Sequence, residues 1–309
     1  MKKKKIVVIQ GGTSREREIS LESAKSCIKA IKKLGHKVIK FDPKYSSSLN
    51  LQKIKSDVVF NSLHGKDGED GKIQSILEYL GKAYTHSGVL SSMIAMDKFL
   101  SKQFFIQNKI KTPNYIFINI KEKKNINLNK ELKKNKIKFP VVIKPNDEGS
   151  SIGVKICKNL KILKKEFFFL RKKYENLIIE NYIPGQEIQV AVMGGKALGA
   201  IELKPKRKFY DYKAKYKKSS NTKHIMPADI PAKKYKEVLK ISEKAHAVLG
   251  CRGISRCDFR FYKSNFFLLE LNTQPGMTNL SLVPEIADFA NIPFIKLVKW
   301  MIDDASINR

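Results

Sequence analysis

At residues 270–278 the chain reads ELNTQPGMT, the end of a strand followed by a turn. Side chains of a strand alternate between its two faces, so Glu270 and Asn272 share one face and Leu271 occupies the other. On the preceding predicted strand, Asp258 can point to the same side. Two carboxylates and one amide oxygen are hard oxygen donors, which suit Mg²⁺ held jointly with phosphate groups. Solvated acids are also common at strand ends, so this interpretation depends on phosphate-binding groups elsewhere in the chain.

A second stretch supplies groups of the kind that bind phosphate. Lys144 ends an apolar strand, and residues 148–153 read EGSSIG, a loop of small residues. Such a loop offers backbone N–H groups and hydroxyls to phosphate oxygens, and Lys144 adds a positive charge. The loop lacks the Walker P-loop pattern, and residues 10–13 lack the dinucleotide-binding pattern G-x-G-x-x-G. A plain β-hairpin turn is the alternative for residues 148–153.

Two further segments carry candidate binding residues. Glu180 and Glu187 flank a Pro-Gly turn, where strand backbone beside an acidic side chain can hold an adenine and ribose hydroxyls. Residues 64–71 read HGKDGEDG and follow the carboxyl end of a predicted strand, the usual ligand position in an open α/β sheet. A lone histidine is more often structural than catalytic. The three glycines after His64 nevertheless favour close approach of a small molecule.

Hydrophobic periodicity divides the chain into three predicted units of an α/β protein. Residues 1–97 alternate apolar strands with helices, which is typical of a parallel sheet with right-handed crossovers. Residues 98–184 and 185–309 have an α+β pattern, with strands joined more often by turns. A polar loop at residues 204–222 is long for a compact domain, where such a loop is usually a lid or disordered, and its four aromatic residues favour a lid.

The composition is that of a globular chain with an unusual charge. The 309 residues are 42% hydrophobic and 29% charged, which excludes a fibre or a disordered tail. The formal net charge is +32, but only eight of the 61 basic residues are Arg, and the lysines are spread over the whole chain. A nucleic-acid-binding protein would more often place Arg for base contacts or carry one dense basic stripe. We therefore expect no nucleic-acid partner and keep nucleic-acid binding as the remote alternative.

The sequence also indicates a cellular setting. No apolar run approaches the roughly 20 residues that span a bilayer, so we expect no membrane partner. The lysines at residues 2–5 resemble the start of a signal peptide, but the apolar stretch at residues 6–9 is too short for one. The four cysteines show neither a zinc motif nor a disulfide framework, which favours a reducing cytoplasm.

Eight short motifs, in order along the chain, resemble the ATP-grasp superfamily and, within it, the D-alanine–D-alanine ligase family. They cover almost the whole chain and comprise residues 11–20, 64–71, 96–98, 144–145 with 148–153, 209–216, 256 with 258, 270–278 and 281–284. Each motif alone is modest, but eight in the right order are specific. The resemblance implies three α/β lobes, with ATP held between the central and C-terminal ones.

The resemblance also implies which residues form the active site. ATP is expected to contact Lys98, Lys144, Gly149, Ser151, Glu180, Ile183, Glu187 and Lys215. Two Mg²⁺ or Mn²⁺ ions are expected at Asp258, Glu270 and Asn272, with Glu270 bridging them. The catalytic residues are expected to be Glu16, Ser150, Tyr216 and Arg256. The amino-acid sites are expected to involve His64 for the first D-alanine, Ser281 and Leu282 for the second, and Gly276.

The family resemblance assigns individual roles to the catalytic residues. Glu16 is expected to receive the ammonium group of the first D-alanine and to be linked to Ser150 and Tyr216 by hydrogen bonds. Arg256 and the Gly276 backbone are expected to stabilise the tetrahedral oxyanion.

The activity implied by the resemblance is the ATP-dependent ligation of two D-alanines through an acylphosphate. The reaction releases ADP and phosphate and supplies a peptidoglycan precursor in the cytoplasm, and the enzyme is expected to be a homodimer. Two related ATP-grasp activities stay open as alternatives, the formation of D-alanyl-D-serine and of D-alanyl-D-lactate.

Overall fold

The computed structural model describes residues 3–122, 126–205, 222–278 and 280–309. Within these residues the chain forms three β-sheets of three, four and five strands. Lys215 and Tyr216, and with them most of the lid predicted at residues 204–222, lie outside the described residues.

The first sheet is parallel and belongs to the N-terminal part of the chain. Its elements are β1 (Lys5–Ile9), α1 (Arg17–Lys33), β2 (Lys37–Phe41), a 3-10 helix (Ser48–Lys53), β3 (Val58–Asn61) and α2 (Lys72–Tyr79). The strand order is β2-β1-β3, so β1 is central. Residues 6–9 of β1 are all buried, as expected for a central parallel strand covered on both faces. The predicted parallel α/β arrangement is confirmed.

A second, antiparallel sheet follows the helices α3 (Val89–Met96) and α4 (Lys98–Gln107). Its elements are β4 (Tyr115–Asn119), α5 (Leu128–Lys134), β5 (Val141–Pro145), β6 (Lys155–Cys157), α6 (Leu160–Leu170) and β7 (Asn176–Asn181). The strand order is β4-β7-β5-β6. Asn127 is the N-cap residue of helix α5, a position at which asparagine is preferred. Its side chain accepts a hydrogen bond from the Lys130 N–H at 3.1 Å.

The third sheet is also antiparallel and carries the acidic strands. Its strands are β8 (Gln186–Met193), β9 (Lys196–Lys204), β10 (Lys223–Ile225), β11 (Ile254–Tyr262) and β12 (Asn265–Asn272), and the helices that follow or cover them are α7 (Ala232–Val248), α8 (Leu282–Phe289) and α9 (Phe294–Asp304). The strand order is β10-β9-β8-β11-β12. Strands β11 and β12 are sequence neighbours, and they pair so that Asp258 lies opposite Glu270 and Arg256 lies opposite Asn272.

The first and third sheets share a hydrophobic core. Ile6 of β1 and Ile31 of α1 lie in the same buried cluster as Ile201 of β9 and Leu297 of α9. Burial of apolar surface is the main stabilising term in folding, so this shared core fixes the N-terminal sheet against the C-terminal part of the chain.

Helix α4 connects the two antiparallel sheets. Its Phe105 belongs to the buried cluster of the third sheet, together with Leu268 of β12. Its Lys102 instead forms an ion pair of 2.9 Å with Glu180 on β7 of the second sheet. The helix therefore packs on one sheet and reaches the other with a charged side chain.

The four cysteines are free and buried: Cys27, Cys157, Cys251 and Cys257. Burial raises the pKa of all four thiols, to about 11 for Cys157 and about 12 for Cys251. Since the thiolate is the reactive form, these residues behave as small apolar core residues. Among the helices of the described ranges, none is both long and apolar enough to cross a bilayer.

Folding is expected to be sensitive to acid because of His246 on α7. Its side chain is buried, and its Nδ1 lies 2.7 Å from Ser255 Oγ. Burial lowers the pKa of His246 from 6.5 to about 4, so between these values the unfolded chain binds a proton that the folded chain does not. The free energy of unfolding is therefore expected to fall as the pH drops through this range, by roughly 3 kcal/mol at 1.36 kcal/mol for each pKa unit.

Urea unfolding at a series of pH values measures this effect. His246→Asn keeps a polar partner for Ser255 but cannot titrate, so its unfolding free energy is expected to depend less steeply on pH than that of the wild type. Equal slopes for the two chains would show that His246 does not carry the acid sensitivity.

Candidate active site

Two clefts lie where the three sheets meet, and they share part of their walls. The larger cleft has about 790 Å³ of empty space between the second and third sheets. The smaller cleft has about 610 Å³, where loops that follow the first sheet approach the other two. Lys98, Glu148 and Glu270 line both clefts. A group bound in one cleft can therefore meet a group bound in the other at these three residues.

Glu16 is a buried acid of the smaller cleft, directly before α1. Ser150 Oγ donates a hydrogen bond to Glu16 Oε2 at 2.5 Å, which joins the loop of residues 148–153 to the N-terminal sheet. Gly65 and Gly149 pack so closely that a Cβ on either would lie 3.0 Å or 2.8 Å from Glu16 Oε1. The carboxylate is thus held in one position, which suits it to bind an ammonium group through charge-assisted hydrogen bonds.

The loop of residues 148–153 has an unusual backbone. Ser150 and Ser151 adopt positive φ angles of 49° and 59°. Non-glycine residues in this conformation are uncommon and are concentrated at functional sites. Lys98 Nζ donates a hydrogen bond of 2.6 Å to the carbonyl of Glu148, which holds the start of the loop at the junction of the two clefts.

His64 is oriented on both sides of its ring. Its Nδ1 lies 2.9 Å from Glu69 Oε1, and its Nε2 lies 3.2 Å from Ser23 Oγ. A carboxylate partner at Nδ1 favours the tautomer that carries the proton on that nitrogen, and in this tautomer Nε2 accepts from the Ser23 hydroxyl. Ser23 Oγ in turn accepts from the Met277 N–H at 3.2 Å. His64 is thereby connected to the turn that follows β12.

A buried cluster of charges lies at one wall of the larger cleft, where Lys144 and Glu180 line the cleft and Lys102 does not. Lys144 Nζ lies 2.6 Å from Glu180 Oε1, and Lys102 Nζ lies 2.9 Å from Glu180 Oε2. Burial alone raises the pKa of Glu180, but the two ammonium groups outweigh it, and the net pKa is lowered. Burial lowers the pKa of Lys98, and it lowers that of Lys102 to about 8. This wall therefore holds more buried ammonium groups than carboxylates, an arrangement that favours an anionic ligand.

The other side of the larger cleft offers an apolar surface and hydrogen-bond acceptors. Ile183 lines it, beside Glu187 of β8. Arg260 Nη2 lies 3.0 Å from Glu187 Oε2, and Arg260 Nη1 donates to the carbonyl of Gly185 at 3.2 Å. A flat ring can pack on the isoleucine while hydroxyl groups donate to the acid.

Asp258 and Glu270 face each other across β11 and β12, as their strand register requires. Arg256 donates two hydrogen bonds to Asp258, from Nε at 2.7 Å and from Nη2 at 2.9 Å. Lys98 Nζ lies 3.8 Å from Glu270 Oε2. Both carboxylates therefore lie beside a cationic side chain in this structure.

The donor chemistry of this acid pair fits a divalent cation. No group of three His, Cys, Asp or Glu side chains in the described part of the chain is arranged as a metal site. Asp258 and Glu270 nevertheless supply two carboxylates, and Asn272 opposite Arg256 supplies an amide oxygen. An oxygen-only set with few protein ligands fits Mg²⁺, which is commonly held by one or two carboxylates and substrate phosphates.

Protein-family models match two segments of the chain. The model described as D-ala D-ala ligase C-terminus matches residues 104–303, and the model described as D-ala D-ala ligase N-terminus matches residues 40–87. The chain belongs to the D-alanine–D-alanine ligase family.

Similar proteins and structures cover nearly the full length of the chain. The D-alanine–D-alanine ligase of Pelagibacter ubique is 53% identical over 306 residues, which are 99% of this chain and 99% of that protein. The D-alanine–D-alanine ligase of Citrifermentans bemidjiense is 43% identical and covers 99% and 98% of the two chains. A crystal structure of the Bacillus anthracis ligase has a TM-score of 0.87 at 33% identity and covers 97% of this chain and 96% of that one. The ATP-grasp fold predicted from the sequence is confirmed.

A second structure of the Bacillus anthracis ligase is complexed with ATP. It has a TM-score of 0.85 at 33% identity and covers 98% of this chain and 97% of that one.

Most residues that the ligase-family resemblance assigns to the active site line the two clefts. The larger cleft is lined by Lys98, Lys144, Ser151, Glu180, Ile183, Glu187, Asp258 and Glu270. The smaller cleft is lined by Glu16, His64, Gly149, Ser150, Arg256, Glu270, Asn272 and Gly276. Gly149, which the resemblance assigns to ATP, thus lies on the Glu16 side of the loop.

Within the described part of the chain, Ser281 and Leu282 line neither of the two clefts. Ser281 precedes α8, and its Oγ accepts a hydrogen bond from the Thr278 N–H at 2.9 Å. A Cβ on Gly276 would lie 2.9 Å from the same Oγ, so Ser281 packs directly behind this part of the smaller cleft. Leu282 is buried in the core shared by the first and third sheets.

Several supporting residues were not predicted from the sequence. Glu69 orients His64, Arg260 pairs with Glu187, and Lys102 pairs with Glu180. The sequence did contain a signal for Lys102, because it lies four residues after Lys98 in the same helix. Residues with this spacing are neighbours on one helix face, so Lys102 could be expected near Lys98.

Gln274 joins the turn after β12 to the first sheet. It is buried and accepts a hydrogen bond from Asn61 Nδ2 at 2.7 Å, while its own amide donates to the carbonyl of Leu63. Its backbone N–H donates to Asn272 Oδ1 at 2.7 Å. Gln274 therefore couples the loop that contains His64, through its side chain, to the candidate metal ligand Asn272, through its backbone N–H.

Proposed function

We propose that the chain ligates two D-alanines to D-alanyl-D-alanine with conversion of ATP to ADP and phosphate, and so supplies a precursor for peptidoglycan. The observation that carries this proposal is the junction of the two clefts at Lys98, Glu148 and Glu270. An amino acid whose ammonium group binds Glu16 can present its carboxylate there to the terminal phosphate of a nucleotide in the larger cleft. Membership of the ligase family supports the same reaction.

The larger cleft is the ATP site in this proposal. Lys98 and Lys144 contact the phosphates, and the loop that contains Gly149 and Ser151 covers them. The adenine and ribose lie against Glu180, Ile183 and Glu187, while Lys215 lies outside the described residues. Buried ammonium groups interact strongly with phosphate because little water screens them. A similar ligase that has been solved in complex with ATP supports this assignment.

Asp258, Glu270 and Asn272 are the proposed ligands of two Mg²⁺ or Mn²⁺ ions. Bound ions of this kind offset the negative charge of the phosphates and of the phosphoryl group in transfer. The protein contributes oxygen donors that strand pairing holds on one face of the sheet.

Two displacement steps account for the reaction. A carboxylate oxygen of the first D-alanine attacks the γ-phosphorus of ATP, and ADP leaves as the new P–O bond forms. The resulting acylphosphate has a good leaving group, which the carboxylate itself lacks. The amine of the second D-alanine then attacks the acyl carbon, loses a proton, and expels phosphate. Positioning and charge stabilisation supply most of the rate enhancement in such transfers.

The smaller cleft holds the first D-alanine in this proposal. Glu16 binds its ammonium group, and the hydrogen bond from Ser150 keeps the acid in place. His64 lies near the same site, and Tyr216, which the resemblance adds to this group, lies outside the described residues. Arg256 and the Gly276 N–H stabilise the oxyanion of the tetrahedral intermediate. Ser281 and Leu282 contribute to the second D-alanine site.

The proposed setting completes the assignment. We infer that the protein is a cytoplasmic homodimer. Each chain has three lobes, which comprise residues 1–97, 98–184 and 185–309. Exposed apolar side chains on two neighbouring helices support an interface between two copies, with Tyr79 84% exposed on α2 and Leu90 68% exposed on α3. Sedimentation of the purified chain tests the oligomeric state.

Phosphate release from ATP and Mg²⁺ tests the proposed function directly. We expect D-alanine to stimulate release and to yield D-alanyl-D-alanine, whereas L-alanine and buffer alone give only background. Adding D-serine or D-lactate beside D-alanine, with mass analysis of the product, identifies the second substrate. A folded chain that binds ATP but shows no stimulation by D-alanine would contradict the substrate assignment.

A further inference from the structure

Lys102 is a buried lysine that contacts the proposed ATP site without lining it. Its side chain is 0% exposed. Within the described part of the chain, Glu180 lines the larger cleft and Lys102 does not. The two lysines that bind Glu180 use different oxygens, because Lys144 is at Oε1 and Lys102 is at Oε2. Glu180 therefore lies between Lys102 and the cleft.

Three contacts hold the Lys102 ammonium group. Its Nζ donates to Thr112 Oγ1 at 2.6 Å, lies 2.9 Å from Glu180 Oε2, and lies 5.3 Å from the centroid of the Tyr115 ring. A buried ammonium group is tolerated when its N–H donors have partners. The partners belong to the second sheet and the segment that leads into it, whereas α4 packs on the third sheet. The position of Lys102 is thus fixed from two directions.

Lys144 is in a different situation because it lines the cleft. If it contacts a phosphate when ATP binds, Glu180 loses one of its two cations. Removal of one partner from a buried ion pair is strongly destabilising, since it leaves an uncompensated charge. Burial raises the pKa of Glu180, whereas the charges and hydrogen bonds of Lys102 and Lys144 lower it, the charge of Lys102 more than that of Lys144. Glu180 therefore has a second cation that a ligand in the cleft does not draw away.

We propose that Lys102 is a positioning residue of the nucleotide site: it holds Glu180 as an ionised acceptor while Lys144 turns to the phosphates of ATP. This inference deepens the proposed function and rests on the ATP site described there. Lys102 acts through Glu180 and does not touch the nucleotide.

The consequence concerns which purine the site selects. An ionised carboxylate accepts hydrogen bonds and cannot donate them, so it favours adenine, which has an amino group at C6. Hypoxanthine, the base of ITP, has a carbonyl there. Without Lys102, the departure of Lys144 would favour protonation of Glu180, and a protonated acid can donate to that carbonyl. Loss of Lys102 should therefore weaken ATP binding and reduce the preference for ATP over ITP.

Calorimetric titration of the full chain with ATP and with ITP, both with Mg²⁺ and without D-alanine, tests this inference. For Lys102→Met, which resembles the lysine stem as far as Cε but lacks the ammonium group, we expect the Kd for ATP to rise at least ~10-fold and the ATP-to-ITP preference to fall by a similar factor. Lys111→Met is the matched control, since Lys111 is exposed and its Nζ donates to Asn265 Oδ1 on the far end of β12 from Asn272. We expect its ATP-to-ITP preference to equal that of the wild type.

A double-variant cycle distinguishes positioning from a general loss of structure. In a Glu180→Gln background, Lys102→Met should cause no further change in the ATP-to-ITP preference, because the carboxylate through which Lys102 acts is already absent. The double variant removes both members of the Lys102–Glu180 ion pair, so it leaves no unpaired charge from that pair. If Lys102→Met alone does not fold, the comparison of the double variant with Glu180→Gln still tests the inference. An unchanged preference in Lys102→Met, or a further change in the Glu180→Gln background, would overturn the inference.

The proposed function can fail independently of this inference. A wild-type chain that binds ATP in preference to ITP but does not ligate D-alanine would contradict the reaction and leave the role of Lys102 open to the same titrations.

Discussion

Replacement of Glu270 by Gln is expected to lower kcat by about 10³-fold at ordinary Mg²⁺ concentrations, or about 4 kcal/mol. Glu270 lines both clefts and faces Asp258 across two paired strands. The amide has nearly the same shape but lacks the charge that a divalent cation requires, and it leaves the buried Lys98, 3.8 Å away, beside a neutral group. Initial rates of phosphate release, measured with saturating ATP and D-alanine over a titration of Mg²⁺, give this loss together with the raised metal requirement.

Glu175→Gln provides the matched control for Glu270→Gln. Glu175 is an exposed acid that pairs with Lys121 at 2.9 Å, and exposed pairs of this kind contribute little to stability. We expect wild-type turnover and an unchanged Mg²⁺ requirement for this variant. Wild-type turnover of Glu270→Gln at ordinary Mg²⁺ would refute the metal assignment.

A second large effect is expected for Glu16→Gln, namely a rise of the KM for the first D-alanine on the order of 100-fold. A charged hydrogen bond to a buried group is worth about 3 kcal/mol, and tenfold corresponds to about 1.4 kcal/mol. Glutamine fits the narrow space between Gly65 and Gly149, and its carbonyl can still accept from Ser150. The substitution therefore removes the charge that attracts the ammonium group and keeps the geometry. Steady-state kinetics over D-alanine concentration at saturating ATP measures the change.

The control for Glu16 lies two residues along the chain. Glu18 is exposed in the first turn of α1, so Glu18→Gln is expected to leave the KM for D-alanine unchanged. The ATP affinity should stay close to wild type in both variants, because Glu16 lines only the smaller of the two clefts. If the Glu16→Gln enzyme had the same KM for D-alanine as the Glu18→Gln enzyme, Glu16 would not bind the ammonium group.

Local patterns in the sequence predicted the parts of the site that lie on paired strands. The alternation of Glu270, Leu271 and Asn272 implies a shared face for the two polar residues, and a neighbouring strand brings Asp258 opposite Glu270. The parallel first sheet followed in the same way from strands that alternate with helices. These features depend on periodicity and on strands that are close in sequence.

Such patterns could not predict contacts between segments that are far apart in the sequence. Lys102 and Glu180 are far apart in the chain and meet only because α4 packs on the third sheet and reaches back to the second. Helix α9 carries a readable apolar stripe at Leu297, Val298 and Met301. Its packing partners on β1 and α1, however, come from the opposite end of the chain. Propensity and spacing describe an element, whereas the pairing of elements depends on the whole core.

The burial of all four native thiols makes this chain a convenient starting point for site-specific labelling. Cys27, Cys157, Cys251 and Cys257 are enclosed in the core and have raised pKa values, so maleimides at neutral pH should leave them unmodified while the chain is folded. One cysteine introduced at an exposed lysine of the second sheet and another on the third would then carry a donor and an acceptor dye. Distances between the sheets during turnover could be followed by fluorescence energy transfer without first removing any native residue.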